Sequence, residues 1–392
     1  MQMTYFDKTI PKRLCILMPT FFYERVGGVE IQTYLIAKYL AARNWEVHFI
    51  AGTKSAKKIN SVELCEGFRL HWVEQAGFLP FSRKDIILLL RKINPSIIYQ
   101  RGRSPFTSSP TAYRFARTAP VKTVYHCAEN NDLTKSFNVT EVRNSGKNTL
   151  KKTVLFFRAF LYDHFFRRTI LHSDIIIVQT QEQADLFRDT FDLPTTVIPS
   201  SHEVPSDIPL KSQPPIVFWI AHAGRRKRLE IFVELARRLQ SESICFVFAG
   251  TLPHADYRNE IFSSMSGLKN IEYIGPLSWK ESNTMFAKAS VFVNTTMPGR
   301  EGFPNTYIQA WLHGTPVVTL DCDPDNVIKE NNLGFHSGSL DKMAEDVLSI
   351  IRNKELRDTI GTKARAYALE HHNIEKTSSD MAMLFSNLLT SV

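Results

Sequence analysis

A carboxylate, a Gly/Pro turn and an amide follow one another in the last third of the chain. The stretch reads Met297-Pro298-Gly299-Arg300-Glu301-Gly302-Phe303-Pro304-Asn305-Thr306-Tyr307-Ile308-Gln309-Ala310-Trp311. Glu301 stands just before a turn that opens a helix. The first N–H groups of a helix lack internal partners, so those around Phe303, Asn305 and Thr306 are placed to meet an anion. Gln309 lies one helical turn beyond Asn305 and can face the same cleft. One short element therefore offers an acid, an anion nest and a hydrogen-bonding amide.

Two other segments suit the same ligand chemistry. Phe218-Trp219-Ile220-Ala221-His222-Ala223-Gly224-Arg225-Arg226-Lys227-Arg228 reads as a strand, a loop and four cations at a helix start. Cations there oppose the helix dipole, so they do little for the helix itself. They make sense around a phosphate, although a solvated basic corner reads equally from the sequence. Near the amino terminus a strand ends in Pro19-Thr20-Phe21-Phe22, and a loop leads to Gly27-Gly28 before a helix. Glycines let a backbone approach a ligand closely. An ordinary strand–helix turn has the same look, and the dinucleotide fingerprint G-x-G-x-x-G is absent.

These segments need elements to hold them. Short apolar runs alternate with amphipathic stretches almost throughout, which predicts parallel sheets wrapped by helices. Strands are expected at Leu14–Met18, Val47–Ala51, Ser96–Tyr99, Thr123–His126 and Asp174–Gln179. Helices are expected at Val29–Arg43, Asp85–Lys92 and Glu182–Asp189. Pro199, Pro205, Pro209, Pro214 and Pro215 then crowd a polar stretch that reads as a linker. Alternation restarts with strands at Ile216–Ile220, Ile244–Phe248, Ile271–Ile274, Val291–Asn294 and Pro316–Leu320. The intervening helices are Arg228–Leu239, Trp279–Lys288 and Asn305–Leu312, and the tail from Ser339 is nearly all helix. The reading is two doubly wound α/β domains with a ligand cleft between them.

Composition supports a folded chain that meets an anion. The 392 residues are 43% hydrophobic, and 48 basic against 39 acidic residues leave a formal charge of +9. That excludes a disordered chain, a collagen-like repeat and a disulfide mini-protein, and favours phosphate ligands, nucleic acid or an acidic membrane. The five cysteines are widely spaced without C-x-x-C, and read as free thiols rather than a zinc site. The first residues lack signal-peptide features and no run is long enough to span a bilayer. A cytoplasmic protein is expected, free or at the inner face of the cell membrane.

The Glu301 stretch resembles the Glu-Gly-Phe-x-x-x-x-x-Glu-Ala signature of retaining GT-B glycosyltransferases of glycosyltransferase family 4. The Gly27-Gly28 loop, the strand-loop-Lys227 segment and Gly314-Thr315-Pro316-Val317-Val318 are similar to the family's as well, in order and spacing along nearly the whole chain. The resemblance implies two Rossmann-like domains, 1–198 for the acceptor and 199–373 for a nucleotide-sugar donor, with helix 374–392 returning to the first. It implies a UDP- or GDP-linked donor, a glycan or lipid-linked acceptor, and a role in cell-surface polysaccharide assembly. Gly28, beside Gly27, would bring an N–H to the diphosphate. Lys227, with Arg226, would bind phosphate and stabilise the leaving nucleotide. Glu301 would hold the donor sugar, with Gly302, Phe303, Pro304, Asn305 and Thr306 close to sugar and phosphate, and Gln309 would sit at the ribose. His126, at a strand end, would face the transferred sugar; a lone histidine there is as often structural.

Two positions depart from the pattern. His222, preceded by Ala221, stands where the family has a phosphate-binding arginine, and Gln309 replaces a glutamate. Arginine is charged and bidentate, whereas histidine is mostly neutral near pH 7. Arg225, Arg226 or Arg228 could compensate. A non-catalytic nucleotide- or glycan-binding relative and a sugar-nucleotide epimerase stay open as alternatives. No essential metal and no other cofactor is expected; Asp321-Cys322-Asp323 reads as a polar loop.

Segment 143–172 is basic and aromatic. Arg143, Lys147, Lys151, Lys152, Arg158, Arg167 and Arg168 face only Asp163, and Phe156, Phe157, Phe160, Phe165 and Phe166 lie among them. An anionic membrane surface attracts such a helix. Aromatics packed into the first domain explain the same spacing, and no nucleic-acid motif accompanies the charge.

Overall fold

A computed structural model describes residues 11–390, apart from residues 26, 76, 78, 108, 146–148 and 300 and the side chains of 149–151. Residues 1–10, part of the stretch read for an export signal, and Lys147 lie outside the described residues.

The first sheet has eight strands: β1 (Arg13–Met18), β2 (Glu46–Thr53), β3 (Val62–Cys65), β4 (Phe68–Glu74), β5 (Ile97–Arg101), β6 (Lys122–His126), β7 (Ile175–Val178) and β8 (Thr196–Val197). Their order is β3-β4-β2-β1-β5-β6-β7-β8, parallel except for β3 against β4. Leu14 to Met18 are buried, as an unbroken apolar run in a central parallel strand should be. The second sheet holds β9 (Ile216–Ile220), β10 (Cys245–Ala249), β11 (Ile271–Tyr273), β12 (Val291–Asn294), β13 (Val317–Thr319) and β14 (Gly334–His336). It is parallel in the order β11-β10-β9-β12-β13-β14.

Helices wrap both sheets. Those of the first domain are α1 (Gly28–Ala41), α2 (Lys84–Ile93), α3 (Thr111–Ala116), α4 (Phe137–Asn144), α5 (Thr149–Leu171) and α6 (Gln181–Phe191). The second sheet carries α7 (Leu229–Arg238), α8 (Ala255–Ser264), α9 (Trp279–Lys288), α10 (Asn305–Leu312), α11 (Val327–Asn331), α12 (Leu340–Arg352) and α13 (Lys354–His371). Finally α14 (Ile374–Thr390) crosses back. Its Met381, Phe385 and Leu388 share one core with Leu14, Leu40 and Trp45.

The β3–β4 hairpin was not expected from the sequence. Its two-residue turn, Glu66-Gly67, has positive φ at both positions, the geometry that matches strand twist. Its outer strand is an exposed edge whose Val-Glu-Leu-Cys run carries no buried stripe to read.

The chain passes between the domains twice, and the passes are tied together. His202 N–H donates to His372 O (2.9 Å) and Ile374 N–H to His202 O (3.1 Å). The His372 ring donates to Ser200 O (2.7 Å). Burial pulls the His202 imidazole down to about 3 and that of His372 to about 4. In the unfolded chain both return to about 6.5. The unfolded state therefore takes up protons below pH 6.5 that the folded state refuses, and stability falls as pH falls. Linkage gives a loss on the order of 2 kcal/mol per histidine by pH 5. We expect Tm to drop between pH 7 and 5, and to drop less steeply in the His202→Gln/His372→Gln variant. Parallel profiles for the two proteins would contradict this.

Candidate active site

Each sheet has one place where adjacent strands send their connections in opposite directions, and a crevice opens there at the carboxyl ends. In the first sheet the two strands are β1 and β5; in the second they are β9 and β12. The segments that follow are Pro19–Gly28, Ala221–Arg228 and Thr295–Glu301. The residues singled out in the sequence thus lie at the two crevices because the topology puts them there.

Within the second domain the two loops are laced together. Thr295 Oγ1 donates to Lys227 O (2.6 Å) and accepts from Trp219 Nε1 (3.0 Å). Met297 N–H donates to Arg226 O (2.9 Å). Arg228 donates to Thr295 O, Thr296 O and the Asp321 carboxylate. The lacing sets the Lys227 ammonium directly against the Glu301 carboxylate, both with side chains only about 15% exposed (14% and 15%). Burial lowers the ammonium's pKa, and the charge of Arg226 acts in the same sense.

The turn after Glu301 closes on the first domain. Gly302, Phe303 and Pro304 are buried, and Asn305 and Thr306 half-buried, where α10 begins. Pro304 caps that helix without a side-chain hydrogen bond, so the first N–H groups are not taken by a cap. A side chain at Gly302 would lie 2.6 Å from Gln183 Nε2, 2.8 Å from Gln179 Nε2 and 3.0 Å from Ala128 O. Asn305 Oδ1 accepts from Gln32 Nε2 (2.8 Å) and the His202 ring (3.2 Å). Its Nδ2 lies 2.5 Å from where a Cβ on Gly28 would be. Gly28 and Gly302 are therefore glycines because backbone and side chains of the opposite domain come up against them.

Positive charge gathers beside this junction. His222 hydrogen-bonds Thr251. Its pKa is lowered first by burial, then by the charges of Arg25, Arg226, His254 and Lys227. Arg25, from the loop before Gly27, is held 3.8 Å from Glu30, which also accepts from Thr20 Oγ1 (3.2 Å). Arg226 reaches across the cleft to Glu129 (2.9 Å).

His126 is buried at the carboxyl end of β6. Its Nδ1 meets Tyr99 Oη at 2.7 Å and Arg101 Nη1 at 3.4 Å, and among the described residues its Nε2 has no partner. Burial and Arg101 lower its pKa well below the usual value, so it is a neutral imidazole. Arg101 continues through Ser200 to Gln179, which abuts Gly302.

Some expectations change. Arg225 pairs with Glu260 (2.9 Å) and packs on Tyr257, and Arg228 is spent on the loop lacing, so neither substitutes for the arginine missing at 222. Gln309 is buried and donates to Asn283 Oδ1 (3.0 Å) on α9 rather than sharing the partners of Asn305. Asp321 pairs with Arg228, while the Asp323 carboxylate accepts the N–H groups of Ile328 and Lys329. Sequence reasoning missed Arg25, Gln32, Glu129 and Gln179. Only Gln32 left a signal: it is one helical turn beyond Gly28 and so shares its face.

Two doubly wound domains meeting at their switch points around a cation–carboxylate pair make this a GT-B fold. Residues 26–201 match the family model described as Glycosyltransferase Family 4, and residues 214–353 match that described as Glycosyl transferases group 1. Sucrose-phosphate synthase from Thermosynechococcus elongatus is similar in structure, with a TM-score of 0.75 at 16% identity over 97% of this chain and 100% of its own. So is Anabaena HepE, solved with UDP-glucose, with a TM-score of 0.68 at 15% identity over 96% and 99%. S. aureus TarM, solved with UDP and alpha-GlcNAc-glycerol, gives 0.58 at 18% identity over 78% of this chain and 58% of its own. A comparison with curated proteins returned no significant match. The chain is a glycosyltransferase of the family 4/group 1 type.

Proposed function

We propose that the chain is a retaining glycosyltransferase that takes a sugar from a UDP- or GDP-linked donor and gives it to a glycan or lipid-linked acceptor in cell-surface polysaccharide assembly. The observation that carries the reading is the contact of Lys227 with Glu301 beside the open start of α10, where Gly28 of the other domain comes closest. The diphosphate lies between the Lys227 ammonium and the N–H groups after Gly302. Glu301 turns to the hydroxyls of the donor sugar. As the bond from the anomeric carbon to the diphosphate breaks, negative charge grows on the phosphate, and prearranged donors stabilise it without reorganisation. The acceptor hydroxyl bonds to the same face of that carbon and passes its proton to the departing phosphate oxygen, so configuration is retained. His126, neutral and with its Nε2 unpartnered among the described residues, faces the sugar from the first domain.

Arg25 takes the part of the arginine that His222 lacks. It belongs to the loop that brings Gly28 to the site, and its charge is felt at His222. Lys227, Arg226 and Arg25 together supply the neutralisation that a divalent ion provides elsewhere, so the reaction needs none. The nucleotides in the HepE and TarM structures favour a uridine donor.

A thermal-shift panel of nucleoside diphosphates and their sugars tests the reading. The expected result is a selective rise in Tm with uridine or guanosine compounds, unchanged by EDTA and reduced in Arg25→Ala. No rise with any compound would contradict it.

A further inference from the structure

Helix α5 has two faces, and the large apolar side chains of one of them are exposed among the described residues. Ala159, Tyr162, Phe166, Thr169 and Ile170 are buried in the first domain. On the opposite side Phe157 is 59% exposed, Phe160 54% and Val154 57%, with Phe156 exposed beside them. Thr153, Phe157, Phe160, His164 and Arg167 fall at helical spacing along one exposed stripe. The aromatics of this segment are therefore divided: Phe166 belongs to the core, and Phe156, Phe157 and Phe160 do not.

The stripe is held rigidly. The Asp163 carboxylate accepts from Arg103 Nη1 (2.8 Å), from Asn138 Nδ2 (2.8 Å) and from the N–H groups of Asn138 (3.2 Å) and Val139 (3.0 Å). It thereby pins the start of α4 to α5. Arg103 also lies over the Phe166 ring (3.8 Å), and its N–H donates to Asp132, which in turn holds Ala128 at the cleft. Asp163 is the sole acid of α5, and it is buried against Arg103. What α5 itself leaves for solvent on this side is positive: Lys152 before the phenylalanines, and Arg167 and Arg168 after them; on the adjacent α4, Arg143 and Glu141 are both exposed and offset each other.

Exposed phenylalanines flanked by cations, with the one acid neutralised inside, complement an interface whose surface is anionic and whose interior is apolar. We propose that the exposed face of α5 docks on an anionic lipid bilayer, with the phenylalanines entering the acyl boundary and Lys152, Arg167 and Arg168 meeting the headgroups. Through Asp132 and Ala128 the docked helix is joined to the acceptor side of the cleft, which places the site next to a membrane-borne acceptor. The docking goes beyond the transfer reading and is measured without donor, so failure of one leaves the other standing.

The test is co-sedimentation of the full chain with phosphatidylcholine vesicles, with and without phosphatidylglycerol. Binding roughly tenfold or more stronger is expected when phosphatidylglycerol is present. Phe157→Ser with Phe160→Ser lowers that binding by about tenfold. Lys152→Glu with Arg167→Glu removes the preference for phosphatidylglycerol, with unchanged circular dichroism in both variants. Equal binding to both vesicles, or wild-type binding by the phenylalanine variant, overturns the proposal. So does a dimer that dissociates in the phenylalanine variant while neither protein binds vesicles.

Discussion

Lys227→Ala lowers kcat about 10²–10³-fold. In the proposed mechanism the substitution removes a charge placed where the leaving diphosphate becomes negative, and losing one prearranged donor of that kind costs about 3–4 kcal/mol. The loss appears in kcat more than in KM, because the ammonium matters most when the charge is fully developed. Glu301→Ala is expected to have a comparable effect for a different reason: it frees the ammonium but, in the proposed binding mode, leaves the donor sugar without its anchor. The two side chains touch, so the double variant should cost much less than the sum of the single ones. Steady-state kinetics of the three variants, with Tm as the check on folding, decide the matter. Undiminished turnover in both single variants would end the assignment.

Gly302→Val lowers transfer on the order of 10²-fold and lowers nucleotide affinity by much less. A side chain there meets Gln179, Gln183 and Ala128 of the first domain at 3.0 Å or less. These neighbours cannot simply swing away. Gln179 Nε2 donates to Cys127 O and Ala128 O, and Gln183 Nε2 to Asn130 Oδ1. The second domain must therefore move off, taking Asn305 from Gln32 and Arg226 from Glu129. Misplacing reactants by about 1 Å costs roughly 10²-fold. Lys227 and the α10 N–H groups belong to the same domain as each other, so on the proposed binding mode the nucleotide keeps them and loses only what Arg25 and Gly28 of the first domain contribute. Titration calorimetry with the nucleoside diphosphate, set beside kcat, separates the two effects. An unchanged kcat, or affinity lost in proportion, contradicts the closure argument.

What could be read from the residues follows from how local the determinants are. Helices Trp279–Lys288 and Asn305–Leu312 were legible to the residue. The first has a capping box between Ser278 and Glu281, and the second lies between Pro304 and a turn closed by Gly314. The β3–β4 hairpin was not legible, because its edge strand buries almost nothing. Glu301 and the α10 start could be found because acid, turn and helix lie within a few residues. The reach of the Arg25 charge to His222, and the pairing of Arg226 with Glu129, depend on two domains meeting, and no spacing encodes that. The α5 phenylalanines show the same limit from the other side: helical spacing identified the segment, but only the packing of Asp163 on Arg103 decides which face turns outward.

The most direct measurement is a crystal structure of the full chain with a uridine or guanosine diphosphate sugar. We expect pyrophosphate oxygens within hydrogen-bonding distance of Lys227 Nζ and of the N–H groups of residues 303–306, with Glu301 turned to the sugar. A nucleotide seated elsewhere, for example in the cavity of about 250 Å³ beside Tyr113 and Arg117, with Lys227 still against Glu301, would contradict the account.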